Sequence, residues 1–140
     1  MLADASGADV WKRLFGKHSD TFLDHAYEPR KVGIVADADV DICLTGTCGD
    51  SIQLSLKEKD GKIQELRFLA EGCEGTLACG SAMSVLAEGK TIEDAAGISA
   101  SLIKDFLGGL TQEHEHCAVL AASSLHKALA ELIRKKRKLI

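Results

Sequence analysis

The sequence predicts an α+β fold: a small antiparallel sheet with helices packed on one face and a long C-terminal helix. Three observations carry this reading. Ile52, Leu54 and Leu56 alternate with polar neighbours, and Leu66, Phe68 and Ala70 repeat the alternation after Asp60-Gly61, the period of half-buried strands joined by a tight glycine turn. Beyond Cys73 the apolar spacing changes to three and four residues, the period of helices. Strands come first and helices afterwards, as in a sheet covered on one side.

Residues 1–20 read as a polar arm in which Trp11, Leu14 and Phe15 make a short apolar helix face. Ser19 or Asp20 is the expected N-cap of a helix continued by Leu23 and Tyr27; it stops before Pro29, because the residue before a proline is pushed out of helical backbone. Val40 opens the strand region. Ala78, Ala82, Val85 and Leu86 are spaced for a helix ending at Gly89, and Thr91-Ile92-Glu93-Asp94 resembles a capping box. A helix from about Ser99 is expected to bury Leu102, Ile103, Phe106 and Leu107 and to stop at Gly108-Gly109. The last helix begins near Glu115, with Cys117, Leu120, Ala121, Leu125, Ala128, Leu129 and Leu132 on the stripe facing the sheet, and residues 134–140 form a basic tail.

A chain of 140 residues has room for one domain, 1–140, that buries about two-thirds of its unfolded surface, enough for a core without disulfides. Its 46% apolar and 27% charged residues exclude disordered, collagen-like and low-complexity classes. Residues 1–133 carry 12 basic and 21 acidic side chains, and Arg134–Lys138 adds five positive charges. An acidic body repels phosphate backbones, so no nucleic-acid partner is expected, and the basic run reads as a solvated helix end. No apolar run reaches the ~20 residues of a membrane span, and Met1-Leu2-Ala3-Asp4 does not open a signal peptide. No membrane association and a cytoplasmic location are therefore expected. In that compartment Cys43, Cys48, Cys73, Cys79 and Cys117 stay reduced, which favours metal binding or thiol chemistry over disulfides.

No Cys-x-x-Cys pair exists, which argues against zinc ribbons, ferredoxin-type runs and thioredoxin-like motifs. Cys48, Cys73 and Cys117 come instead from a strand or loop before the hairpin, the turn after it and a helix N-terminus. An extended Cys48-Gly49-Asp50 would point the thiol and the carboxylate to one side. At the start of its helix, the Cys117 thiol is expected to have a lowered pKa, and His116 precedes it. Small neighbours leave the Cys73 sulfur accessible. Cys43 and Cys79 read as small buried hydrophobes. His114 reads as an exposed loop residue, and His18, His25 and His126 as surface or helix-packing residues.

Taken together, these pieces resemble the IscU/NifU family of iron-sulfur cluster assembly scaffolds. The match runs from about Phe22 to Ile133. It includes Tyr27-Glu28-Pro29-Arg30-Lys31-Val32-Gly33 for the family's Asn-Pro-Arg-Asn-Val-Gly segment, Cys48-Gly49-Asp50, Gly72-Cys73, Gly89-Lys90-Thr91 and His116-Cys117-Ala118-Val119-Leu120-Ala121. The resemblance implies Cys48, Cys73 and Cys117 as cluster ligands, with Asp50 or His116 as fourth donor. It implies a 2Fe-2S cluster, zinc as an occupant of the empty site, and Cys117 or Cys73 as sulfur acceptor. The partners it implies are a cysteine desulfurase, an iron donor or frataxin-like protein, and apo-acceptor proteins. The protein would be a scaffold and not an enzyme. The alternative is a zinc-dependent sulfur acceptor that activates a desulfurase, as in the SufU branch; against it, that branch has an insertion between the second and third cysteines and usually lacks the histidine.

The departures are specific. Leu110-Thr111-Gln112-Glu113-His114-Glu115 stands where the family usually has Leu-Pro-Pro-Val-Lys, which argues against dedicated docking of an Hsp70-class chaperone. No C-terminal extension for further clusters is read. The oligomeric state is left open, a homo-oligomer included.

Overall fold

The structure, a computed structural model, describes Gly16 and residues 18–138. The expected apolar face of Trp11, Leu14 and Phe15 lies outside the described residues, as do most of the polar arm and residues 139–140.

Helix α1 spans Asp20–Tyr27, and Ser19 is its N-cap, the hydroxyl oxygen accepting from Phe22 N at 2.9 Å. Its buried face is Phe22, His25 and Ala26, and α1 packs on the helix after the sheet. His25 is accordingly a packing residue, with Nδ1 2.7 Å from the Ser81 hydroxyl.

Strands β1 (Val40–Thr45), β2 (Ser51–Lys59) and β3 (Lys62–Glu71) form an antiparallel sheet in that order. Asp60 and Gly61, with φ of 56° and 79°, make the two-residue turn between β2 and β3. The register places Leu54 opposite Phe68 and Leu56 opposite Leu66, all fully buried on one face. A register shift between Lys57 and Glu58 leaves one extra residue on β3, so Ile63 and Leu66 both reach the core although they stand three positions apart, which regular alternation would put on opposite faces. Cys43 pairs with Gln53 on the opposite face and is exposed, which corrects its expected burial: strand alternation sends Ile42 and Leu44 inward and Cys43 outward.

Helix α2 (Glu74–Ala87) is built of small residues because it is squeezed on several sides, by the sheet, by α1 and by the last helix. At Gly80 an added Cβ would come within 2.5 Å of the Phe68 ring. Cys79 is fully buried there, as expected. Thr91 caps α3 (Ile92–Ala96) by accepting from Asp94 N, and Ser99 caps α4 (Ala100–Phe106) by accepting from Leu102 N. Ile103 and Leu107 are buried, whereas Leu102 and Phe106 are 42% and 36% exposed, contrary to expectation. A helix of two turns offers the core a single side, and those two residues stand one position off it.

A 3-10 turn, Gln112–His114, leads directly into α5, Glu115–Lys138. The whole expected α5 stripe from Cys117 to Leu132 is buried against the sheet, α2 and α4. The basic end is not simply solvated: Lys136 Nζ pairs with Glu58 Oε2 at 2.8 Å, and Lys135 Nζ donates to the Asp39 carbonyl. Among the described residues no helix is long and apolar enough to cross a membrane.

Candidate metal centre

Three connections meet at one end of the sheet. The loop between β1 and β2 brings Asp50, the turn after β3 brings Cys73 as N-cap of α2, and the 3-10 turn running into α5 brings His114, His116 and Cys117. Each enters where a helix or strand begins, so its side chains are aimed by elements that the core already fixes.

The Sγ atoms of Cys73 and Cys117 stand 3.9 Å apart. Asp50 Oδ2 is 3.9 Å from Cys117 Sγ and 3.6 Å from His116 Nε2, which lies 3.5 Å from the same sulfur. Donors at these separations can share one ion after closing by less than about 1 Å, since sulfur sits at about 2.3 Å and nitrogen or oxygen at about 2.0–2.2 Å from a first-row metal. Cys73 is exposed and Cys117 is buried, so the pocket has an outer and an inner thiol.

Two glycines make this approach possible. At Gly72, φ +159°, a Cβ would lie 2.6 Å from Thr76 Oγ1 and 2.8 Å from the Asp50 carboxyl carbon; at Gly75 it would lie 2.4 Å from His114 Nδ1 and 3.1 Å from Cys117 Sγ. Any side chain at Gly75 would occupy the space in which the histidine and the thiol meet.

Cys48 does not follow the expected geometry. Gly46 N donates to Asp50 O at 2.7 Å and Gly49 N to Gly46 O at 3.1 Å, with Gly49 at φ +87°. The Cys48-Gly49-Asp50 segment is therefore a turn and not an extended strand, and the period-two argument for a shared face fails. Cys48 is exposed on that turn and joins none of the three-donor groups among the described residues.

The expected acidity of Cys117 is also corrected. Burial pushes its thiol up to about 12, with the neighbouring Cys73 and Asp50 acting in the same direction against a hydrogen bond with Thr76. Desolvation outweighs the helix dipole because the sulfur is withdrawn from water, while the dipole supplies only a partial charge. Burial likewise drives the Cys79 thiol upward, consistent with an inert packing residue.

His114 is buried, not an exposed loop residue. The 3-10 turn swings its ring inward against Phe22, centroids 5.4 Å apart, and places Nδ1 3.7 Å from Cys73 Sγ. Desolvation lowers its pKa, which favours the neutral, ligating form. Thr76 was not singled out in the sequence; it is fully buried, donates to Asp50 Oδ2 at 2.6 Å and lies 3.7 Å from Cys117 Sγ. Both had a signal in the chain: Thr76 follows Cys73, and His114 precedes Cys117, by three residues, the spacing of neighbours on one helical face.

The chain is similar to known proteins in both sequence and fold. The chain is 37% identical over 123 residues to the iron-sulfur cluster assembly scaffold protein IscU 1 of Archaeoglobus fulgidus, covering 87% of this chain and 80% of that protein. It is 33% identical over 119 residues to the iron-sulfur cluster assembly scaffold protein IscU of Haemophilus influenzae, covering 81% of this chain and 94% of that protein. Two solved structures share the fold. One is a candidate iron-sulfur cluster assembly scaffold protein for the SUF system from Fervidobacterium islandicum, with TM-score 0.69, 19% identity, and coverage of 80% of this chain and 96% of that chain. The other is a NifU-like protein (N-terminal) from Brucella abortus, with TM-score 0.67, 17% identity, and coverage of 84% of this chain and 94% of that chain. The family model of the NifU-like N-terminal domain matches residues 17–139, and the chain belongs to that family.

Proposed function

We propose that the protein is a scaffold on which an iron-sulfur cluster is assembled as cargo and then passed to apoproteins. The observation that carries this is the 3.9 Å approach of the Cys73 and Cys117 sulfurs beside Asp50 and His116, in a chain of the NifU-like family. Cys48, Cys73 and Cys117 are the thiolate ligands, Cys48 closing onto the cargo from its exposed turn, and Asp50 or His116 supplies the fourth donor. Thiolates suit iron-sulfur clusters, and a carboxylate or imidazole in fourth place holds iron less firmly than another thiolate, as release requires. The expected cargo is 2Fe-2S.

Cys73 is the better sulfur acceptor of the two named in the sequence because its sulfur is exposed. Its thiolate attacks the outer sulfur of a desulfurase cysteine persulfide; the S–S bond breaks, the desulfurase cysteine leaves as thiolate, and Cys73 carries the persulfide. Release as sulfide takes two electrons from an external thiol or electron-transfer protein. An iron donor and the recipient apoproteins complete the partners.

A second reading, zinc held by Cys48, Cys73, Cys117 and Asp50 in a protein that activates a desulfurase, is favoured by the 3.9 Å approach of Cys117 Sγ to both Cys73 Sγ and Asp50 Oδ2, since three thiolates and a carboxylate suit tetrahedral zinc. Anaerobic incubation with iron, cysteine and a desulfurase separates the two. Scaffold function gives a coloured protein with iron and sulfide that loads an apo-ferredoxin. Colourless protein holding zinc and stimulating the desulfurase supports the second reading and overturns the first.

A further inference from the structure

Three donors beside the thiol pocket converge on a second point. Nε2 of His18 and Nε2 of His114 each stand 3.9 Å from Oε1 of Glu74. One ligand atom from each of the three residues lies within 4.8 Å of the other two. They arrive from separate parts of the chain: the segment entering α1, the first turn of α2 and the 3-10 turn before α5.

The rings are held in place. His18 stacks on Phe22 with centroids 4.4 Å apart and planes 15° from parallel, and His114 lies against the same Phe22 at 5.4 Å. Phe22 is fully buried, so it forms a fixed floor under both imidazoles. The Tyr27 hydroxyl donates to the other carboxylate oxygen, Glu74 Oε2, at 3.5 Å, which leaves Oε1 turned to the histidines.

Separations of 3.9 Å exceed a direct hydrogen bond, so these polar groups gather without satisfying one another directly. Donors bound to one first-row ion at about 2.0–2.2 Å stand about 3–3.5 Å apart, within reach of small side-chain rotations. Two imidazoles and one carboxylate with open positions suit mononuclear Fe(II) and its first-row neighbours, and the set contains no sulfur. The Glu74 side chain is 40% exposed, which gives an ion a way in.

We propose that His18, Glu74 and His114 form a divalent-metal site of their own for an Fe(II)-class ion, separate from the thiol pocket but joined to it through the His114 ring. That ring faces Cys73 Sγ through Nδ1 at 3.7 Å and Glu74 through Nε2 at 3.9 Å. Resting on the scaffold reading, the site holds iron next to the sulfur acceptor before it enters the pocket. The binding itself does not depend on that reading.

The test uses the full chain with Cys48, Cys73 and Cys117 all replaced by serine, titrated anaerobically with Co(II) and followed by calorimetry and visible absorption. One equivalent should bind without a thiolate-to-cobalt charge-transfer band, and Glu74→Gln or His18→Gln in the same background should weaken binding by about tenfold or more. Circular dichroism checks that each variant is folded; Glu74→Gln keeps the side-chain shape, so one of the two remains readable. No binding in the cysteine-free chain, or equal binding after both substitutions, overturns the site. In the otherwise native chain, Glu74→Gln should slow cluster formation at limiting Fe(II), with excess Fe(II) restoring the rate. A native chain that forms no cluster while its cysteine-free form still binds Co(II) overturns the scaffold reading and leaves the site intact.

Discussion

Thr76 donates its hydroxyl to Oδ2 of Asp50 at 2.6 Å, tying the first turn of α2 to the loop between β1 and β2. The same carboxylate oxygen faces Cys117 and His116, so this bond sets where the charge sits in the pocket. Thr76→Val keeps the shape and removes the donor. Because Thr76 is fully buried and bonds a charged partner, the loss should cost about 1–3 kcal/mol in urea unfolding of the metal-free protein. Thr76→Ser should recover most of it. Equal stability of the three proteins would remove Thr76 from the account of how Asp50 is positioned.

Asp50→Ala should slow the loss of an assembled cluster. A dicationic 2Fe-2S core with three thiolates is formally a monoanion; ligation by Asp50 makes it a dianion, whereas neutral His116 leaves the charge unchanged. Exchange between the two therefore changes how strongly the core repels its own ligands. The decay of visible absorbance under matched anaerobic conditions checks this, and a decay no slower than in the native protein contradicts a gating role.

Gly75→Ala should damage the site even though alanine is the better helix former by about 1 kcal/mol. The new methyl would stand 2.4 Å from His114 Nδ1, and relieving that clash costs about 1–3 kcal/mol and displaces the ring. Gly46→Ala is the control, because its Cβ meets nothing closer than Leu120 at 3.6 Å. Iron content after reconstitution should fall for the first variant and hold for the second.

Glu88 gives the fold an acid-sensitive tie. Burial opposes its charge, but Lys31 Nζ at 2.6 Å, a hydrogen bond from Leu66 N at 3.1 Å and the Arg67 guanidinium hold its carboxyl below the usual 4.5. A depressed folded value adds stability that is complete above the unfolded value and is lost as pH falls through the folded one. The difference in urea midpoint between native protein and Glu88→Gln should therefore be constant from neutral pH to about 5.5 and shrink below 4.5. A gap independent of pH would contradict the pairing.

The elements were legible because their signals are local. Ser19, Thr91 and Ser99 cap as their side chains suggest, Asp60-Gly61 turns with both φ positive, and the α5 stripe is buried throughout. Side-chain direction at element ends was less legible. The expected Cys48–Asp50 face required an extended backbone, and one hydrogen-bonded turn with Gly49 at positive φ removed it. Burial of His114 and the raised Cys117 thiol both depend on how α1, α2 and α5 close around the site, which no short window of sequence contains.

The claim on which the function rests is that Cys48, Cys73 and Cys117, and not the other two cysteines, hold the cargo. Anaerobic reconstitution of five single Cys→Ser variants side by side, read by visible absorbance with iron and sulfide analysis, tests it directly. Substitution at Cys48, Cys73 or Cys117 should abolish or sharply lower the bound cluster, while substitution at exposed Cys43 or packed Cys79 should leave it on the folded protein. Full cluster content in Cys48→Ser, Cys73→Ser or Cys117→Ser would contradict the assignment.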